Sequence, residues 1–484
     1  MTLMLSELDF SRADHTLILS DIHLADAEKP HPKNPLWKRF KLPQHFIDEE
    51  FKCFLESMVS QIESPVELIL NGDIFDFDSV MDIPKDPEFK VSWLERLRGL
   101  SSEEMKSRYK MDIILGSHPV WVDALGNFIR AGNRLIFVIG NHDLELHWPS
   151  VQEDILNRLK ISEEQRKQVR FCEWFYISNQ DTLVEHGNQY DAYCLCSNPI
   201  HPLIKKGSKI VVRLPFGNLA GKYMINGMGL MNPHANASFI KESFWDYIKF
   251  YFKYVVRTEP LLMWTWFWGA SATLIVSLTE GFLPAMRDPL TVNVRMEEIA
   301  RKANAPVLVV LALKEVHVHP GIFNPFKILR ELWLDRVLLL VLLVFGSLQL
   351  FFIMNAVTPV RLWWSIVPLV LFFPLFIFYA RSVQSEVDAT QKAAYHMAPL
   401  SARIARVQRI VQGHTHMEAH TDVDQIEVIN TGTWSPAYHD VECTQPYGSK
   451  CFAWIRPKSP GEPRIAELFK WEHSKAHKID RTIL

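Results

Sequence analysis

The sequence predicts an α/β fold, a sheet with helices on its faces, interrupted by an inserted helical segment of membrane-associated character. Three observations carry this. Short apolar runs alternate with helical patterns in the first part of the chain, strand-like runs resume near the end, and the stretch between them holds apolar runs too long for a soluble core.

The runs His15–Asp21 (HTLILSD), Val66–Asp73 (VELILNGD) and Arg134–Asp143 (RLIFVIGNHD) have strand length and end in polar residues, Gly or Asn, as buried strands do at their exits. Between the first two, Phe46, Phe51, Phe54, Leu55, Met58 and Ile62 recur at helical spacing and define one apolar face. Val120 to Ala131 forms another helical pattern, stopped by Gly132. After the third run, Ser150 with Glu153 matches a capping box opening a helix to about Lys160. Arg409–His416, Gln425–Asn430, Cys451–Arg456 and Arg464–Trp471 read as later strands. Residues 1–191 and 401–484 are therefore expected to build one domain, and residues 192–400 an insertion.

Within the insertion, Val337–Val357 carries no formal charge in 21 residues and Leu362–Ala380 none in 19. A bilayer core asks for about 20 apolar residues per helix, so 337–380 reads as a transmembrane hairpin turning at Pro359 and Arg361. Pro368 and Pro374 would kink the second span. Leu261–Thr279 is also uncharged and rich in Trp, and reads as interfacial, re-entrant or a further span. Ahead of it, Phe244, Tyr247, Ile248, Tyr251 and Val255 line one face while Lys249, Lys253 and Arg257 lie elsewhere, the pattern of a helix resting among headgroups. Val307–Leu313 is too short to cross and reads as a strand. Lys327, Arg330, Arg336 and Arg381 border the hairpin outside its turn, which holds only Arg361. The positive-inside tendency then expects a protein of the cytoplasmic membrane with both flanking parts in the cytosol.

The balance of 52 basic against 55 acidic residues argues against nucleic acid as a partner. Six cysteines without a C-x-x-C pair fit reduced thiols, with Cys194-x-Cys196 open as a metal-binding or lipid-bearing pair. Met1 to Phe10, with Glu7 and Asp9, lacks the basic and then apolar pattern of a secretory signal.

The chemistry lies in five short motifs: Asp21-Ile22-His23, Gly72-Asp73, Gly140-Asn141-His142-Asp143, His186-Gly187 and Gly413-His414-Thr415-His416. Each falls at the carboxyl end of a predicted strand, where open α/β sheets bind their ligands. A lone D-x-H is common by chance, but five such motifs in order are not explained by packing. Carboxylate, imidazole and one amide, without thiolate, suit Mn²⁺, Fe, Zn²⁺ or Mg²⁺, with Mn²⁺ the leading expectation.

In these motifs the sequence resembles the calcineurin-like metallophosphoesterase superfamily, whose pattern is D-x-H, G-D, G-N-H-(D/E), H, G-H-x-H. The match spans roughly residues 15–190 and 405–440. The resemblance implies a four-layer αβ-sandwich, two divalent metal ions and hydrolysis of a phosphoric ester. It further implies that Asp21, His23 and His416 hold one metal, Asn141, His186 and His414 the other, and that Asp73 bridges them. Two cations about 3.5–4 Å apart can clamp the attacking and leaving oxygens of an in-line displacement at phosphorus. His142, next to Asn141 on a tight turn, is the expected proton donor to the leaving oxygen, with Asp143 fixing its tautomer.

Gly72-Asp73-Ile74-Phe75-Asp76-Phe77 lacks the arginine of the phosphoprotein phosphatases' G-D-x-V-D-R-G, which disfavours that branch. SDIHLAD, LNGDIFDF, EHGN, GHTH and Asn430-Thr431-Gly432-Thr433-Trp434 are more similar to the UDP-diacylglucosamine hydrolases of lipid A synthesis and their relatives, which also carry a helical insertion between the fourth and fifth motifs. Those enzymes have Arg where this chain has His142, so their reaction does not carry over. The expectation is a membrane-anchored phosphoesterase acting on a phosphate ester or pyrophosphate. Its phosphorylated substrate is either a lipid or nucleotide-lipid, or a soluble molecule for which the apolar segment is only an anchor. An inactive scaffold is disfavoured, since no ligand is missing. Asp76 and Asn188 stand beside the ligands, to support them, touch substrate or simply bond within turns. Ser79–Ser117 and His31–Leu42 (HPKNPLWKRFKL) either overhang the site towards an anionic head group or are solvated loops.

Overall fold

The structure, a computed structural model, describes residues 10–230, 232, 234, 249–287, 290–382, 387–459 and 461–481. Six strands precede the insertion: β1 (His15–Leu19), β2 (Val66–Asn71), β3 (Arg134–Val138), β4 (Val169–Cys172), β5 (Phe175–Ser178) and β6 (Thr182–Glu185). A hairpin, β7 (Leu203–Lys206) and β8 (Lys209–Val212), lies within it. Then come β9 (Arg409–Gln412), β10 (Ala419–Val423), β11 (Ile426–Asn430), β12 (Cys451–Pro457), β13 (Arg464–Glu472) and β14 (Lys475–Lys478).

They form a seven-stranded sheet in the order β14-β13-β12-β1-β2-β3-β4 and a five-stranded sheet in the order β10-β11-β9-β6-β5. Each sheet joins strands from before and after the insertion, for β12 pairs with β1 and β9 with β6. The parallel strands β1, β2 and β3 are buried on both faces, which is why they read as unbroken apolar runs. Alternation sorts their side chains: Leu17, Leu19, Leu68, Leu70, Leu135 and Phe137 point to one core, Ile18, Ile69, Ile136 and Val138 to another.

The first core lies under the helices Asp48–Ser60 and Pro119–Arg130, which contribute Phe51, Phe54 and Trp121. The second lies between the sheets, where Ile18 and Ile69 share a cluster with Val184, Val411 and Ile429. A third covers the outer face of the smaller sheet, where Leu183, Ile410 and Val428 meet Ile299, Ala300, Val310, Leu313, Ala398 and Ala402. Those last six residues belong to the helices Val292–Lys302, Val307–Glu315 and Val387–Ala405, so parts of the insertion supply the outer layer of that sheet.

Several local expectations are corrected. Val307–Glu315 is a helix rather than a strand. Its β-branched run favours extended backbone, but Val310 and Leu313 at helical spacing seal the smaller sheet, and packing overrides propensity. The helix after β3 opens on Pro149 at its first position, with no capping box, and Ser150 instead donates to Glu104 Oε1 at 2.7 Å. Ser79–Ser117 is not a solvated loop: it contains the helices Trp93–Arg98 and Glu104–Ser117, and the latter buries Lys110 against Glu145 at 2.7 Å. His31–Leu42 is likewise partly internal, with Lys41 buried against Asp26, and Lys38 held down to about 8 by burial and by the neighbouring Lys41.

Among the described residues three helices are long and apolar enough to cross a membrane: Leu262–Gly281, Leu334–Val357 and Leu362–Ser382. Residues 244–248 of the expected interfacial helix lie outside the described residues, as do Glu7 and Asp9. The part that follows is helical through Tyr251–Val255 and Val256–Thr258.

Candidate metal centre

The seven expected ligands come from five strand exits. After β1 the chain places Asp21 and His23 in the left-handed region, both at φ 54°; Asp73 after β2 follows at 53°, and His414 and His416 after β9 at 67° and 57°. Asp and His tolerate this conformation better than most residues, yet it is sparsely populated and tends to be held where function requires it. The surrounding backbone holds it here: Asp21 N–H donates to Gly72 O at 3.1 Å and His23 N–H to Asp73 O at 2.9 Å. The motif glycines exist because ligands pass over them. A Cβ on Gly72 would fall 2.4 Å from the His186 ring, and one on Gly140 2.4 Å from Asp73 Oδ1.

The donor atoms converge in two groups, each within 4.8 Å: Asp21, His23 and His416, and Asp73, His186 and His414. His416 Nε2 stands 3.2 Å from Asp21 Oδ1 and 3.2 Å from His23 Nε2. His186 Nε2 stands 3.1 Å from Asp73 Oδ2 and 4.0 Å from Asp21 Oδ1, and His23 Nε2 is 4.0 Å from Asp73 Oδ2. Asp73 thus lies between the groups. All of these side chains are buried or nearly so.

Five of the seven expected ligands are aimed by a second contact. His186 Nδ1 donates to Asn71 O at 2.9 Å, leaving Nε2 as the free lone pair. His414 Nε2 meets Asp191 Oδ2 at 3.1 Å, leaving Nδ1 for the site. His416 Nδ1 donates to the carbonyl of His234 at 3.3 Å. Asp73 Oδ1 accepts from His142 N–H at 2.8 Å. Asn218 donates to the Asn141 carbonyl at 2.9 Å while its own oxygen accepts from Asn141 Nδ2 at 3.4 Å, turning Asn141 Oδ1 inward. Such outer contacts commonly fix ligand orientation and tautomer.

Two atoms test whether a metal fits. Among the described residues Asn141 Oδ1 is buried with no hydrogen-bond partner, and His186 Nε2 is buried with only the Asp73 carboxylate facing it, at 3.1 Å. Buried acceptors are rarely left so, and cations in the two groups would satisfy both. The donor set is oxygen and nitrogen. The additional grouping of Asp191, Cys194 and His414 adds a thiol that burial and Asp191 keep well above its ordinary pKa.

His142 lies beside the Asp21 group, its ring centroid 4.9 Å from that of His23. Burial works against its charged form, but the carboxylates of Asp73 and Asp76 prevail and raise it to about 10. Its partner is Asp76, whose Oδ1 lies 3.2 Å from His142 Nδ1, and not Asp143. Asp143 instead ties two turns together, accepting from Gly140 N–H at 2.6 Å and Ile74 N–H at 2.9 Å. It cannot reach round its own turn to the ring it follows. Asn188 bonds within a turn, donating to Cys194 O at 3.2 Å.

The sequence reading missed His234. Its ring stacks on His23 at 3.8 Å, its Nε2 lies 3.1 Å from Asp76 Oδ2, and its carbonyl holds His416. Asn218 and Asp191 were also missed. None sits at a strand exit, so position gave no signal.

Comparison with known protein families, curated proteins and solved structures finds no match for this chain.

Proposed function

We propose that this chain is a membrane-anchored, two-metal phosphoesterase of the calcineurin-like metallophosphoesterase type. The observation that carries the reading is the convergence of Asp21, His23 and His416, and of Asp73, His186 and His414, in two donor groups, with Asn141 Oδ1 buried and unpartnered among the described residues. Helix, sheet, sheet and helix in succession are the layers that this resemblance leads one to expect.

Asp21, His23 and His416 would hold one cation, and Asn141, His186 and His414 the other, with Asp73 shared. When bound, the cations would supply Lewis-acid polarisation of a phosphoryl group and a water deprotonated near neutral pH. The chain supplies the rest. His142, whose side chain is 20 % exposed, offers Nε2 outward while Asp76 holds Nδ1. A charged imidazole in that position protonates a departing oxygen, and Asp76 stabilises the proton before it moves. Burial of the ligands keeps bulk water from competing for the carboxylates.

The substrate is a phosphate ester or pyrophosphate, and the apolar helices favour one carried by a lipid or nucleotide-lipid over a soluble one. The test is hydrolysis by the purified full chain, with Mn²⁺, of an aryl phosphomonoester, an aryl phosphodiester and a nucleotide-linked lipid. Turnover of at least one, abolished by chelation and restored by Mn²⁺, is expected. No turnover of any, by protein carrying two metals per chain, would refute the assignment.

A further inference from the structure

The helix Leu262–Gly281 differs from the other two apolar helices. A third of its most apolar stretch, 33 %, is buried inside the protein, against 6 % for each helix of the hairpin. At 1.5 Å per residue its 20 residues span about 30 Å, enough to cross a bilayer. Both of its ends, however, are held by one globular body. Leu262 and Trp266 pack with Leu36, Met228, Leu230 and Val441, beside the loops of the metal centre. At the other end Glu280 pairs with Lys206 of β7 at 2.6 Å, and the β7–β8 hairpin joins the main core through Val212 and Leu214. Between the ends, Ala270, Thr273, Ser277 and Glu280 are buried at three- and four-residue spacing, and a Cβ on Gly269 would lie 2.6 Å from the Tyr223 carbonyl. A crossing helix could not touch the same body at both ends.

The opposite face is apolar and open. Trp264, Trp268 and Ile275 are exposed, and Trp93, from the helix Trp93–Arg98, adds its ring 6.0 Å from that of Trp268. Ala270 shares a cluster with Ile328, Leu332 and Leu334, so the first turn of the hairpin emerges against this helix. There Trp333 is exposed, with the Arg336 guanidinium 4.7 Å from its ring centroid, the residue pair expected where a helix enters the headgroup layer.

We propose that Leu262–Gly281 lies flat in the headgroup layer on the same side as the metal centre, with its aromatic face and Trp93 against the bilayer. With the helix in that position, two crossings, by the hairpin, return the chain to the side from which it left. It also ties the membrane to the site, because Thr273 Oγ1, bonded to Gly269 O at 2.9 Å, packs 3.4 Å from the Leu219 carbonyl, and the neighbouring Asn218 holds Asn141. The inference rests on the membrane reading of the hairpin and not on the hydrolase chemistry.

Full-length protein bearing one added cysteine, Leu261→Cys, Phe282→Cys or Pro359→Cys, is treated in sealed vesicles of either orientation with a membrane-impermeant maleimide, and labelling is read against the parent chain. Positions 261 and 282 should label from one face and position 359 from the other. Labelling of 261 and 282 from opposite faces would establish a span and overturn the proposal, and 359 labelling with them would remove the membrane reading itself. The lipid contact is tested without disturbing the fold by reconstitution with brominated lipids. Shallow bromines should quench the parent more than deep ones, and the Trp264→Phe/Trp268→Phe variant should lose part of that quenching. Undiminished quenching in the variant, or stronger quenching by deep bromines, would overturn the bilayer as the occupant.

Discussion

The two halves of the metal centre are built alike at the backbone and differently around it. Around Asp73, Asn141, His186 and His414, every orienting contact comes from residues up to Asn218: the Asn71 carbonyl, Asp191, Asn218 and the His142 amide. Around Asp21, His23, His416 and His142, much of the support passes through one residue of the insertion. His234 stacks on His23, holds His416 with its carbonyl and braces Asp76 behind His142. The first half takes one orienting contact, Asn218, from the insertion and the rest from the sheets and their nearest loops, whereas in the second a single insertion residue carries several contacts at once. Metal retention and proton transfer should therefore respond to different substitutions.

Asp73→Ala strikes both halves and should abolish turnover and release at least one metal per chain. Elemental analysis showing two ions, together with near-normal rate, would break the shared-ligand assignment. His142→Ala should leave both metals in place yet cost roughly two to four powers of ten in rate on poor leaving groups. The loss should shrink for nitrophenyl esters, which need little protonation, and an equal loss on both would argue against proton donation.

His234→Ala should cost about 10–100-fold, the usual effect of removing an outer contact, and mostly on poor leaving groups. Because His234→Gln offers Asp76 a donor that His234→Ala lacks, it should recover part of that loss. If Gln is no better than Ala, stacking on His23 is the contact that matters. Asn218→Ala should be the mildest: about tenfold weaker binding of one metal by titration, with kcat at saturating metal little changed. A fall in kcat without a change in metal affinity would place Asn218 on the His142 side of the comparison instead.

Much of this was legible in sequence because strand exits concentrate it. β1, β2, β3 and β9 are short apolar runs whose last residues run directly into ligands, so periodicity located both the sheets and the donors. His234 was not legible for the opposite reason. It sits in a polar stretch, Asn232-Pro233-His234, where a histidine looks like any surface residue, and only the fold brings it within reach of His23. Asp143 was misassigned to His142 by adjacency, whereas its carboxylate is consumed by the amides of Gly140 and Ile74. The run Val307–Leu313 misled through β-propensity, a weak guide when a sheet offers a face to cover rather than an edge to extend.

Glycine at Asp21, His23, Asp73, His414 or His416 would occupy the left-handed region without the steric cost that each side chain carries there, of order 1 kcal/mol per residue. At Asp21 and Asp73 it would also remove one of the buried carboxylates that stand together when no cation lies between them, whereas loss of a histidine would leave those carboxylates less compensated. In chelator, Asp21→Gly and Asp73→Gly variants of this protein should therefore melt at or above the parent temperature, and fall below it once metal is restored to both. Heat resistance and working competence are then opposed quantities at these two positions, and a screen for thermal tolerance in metal-poor medium would select chains that have discarded the centre.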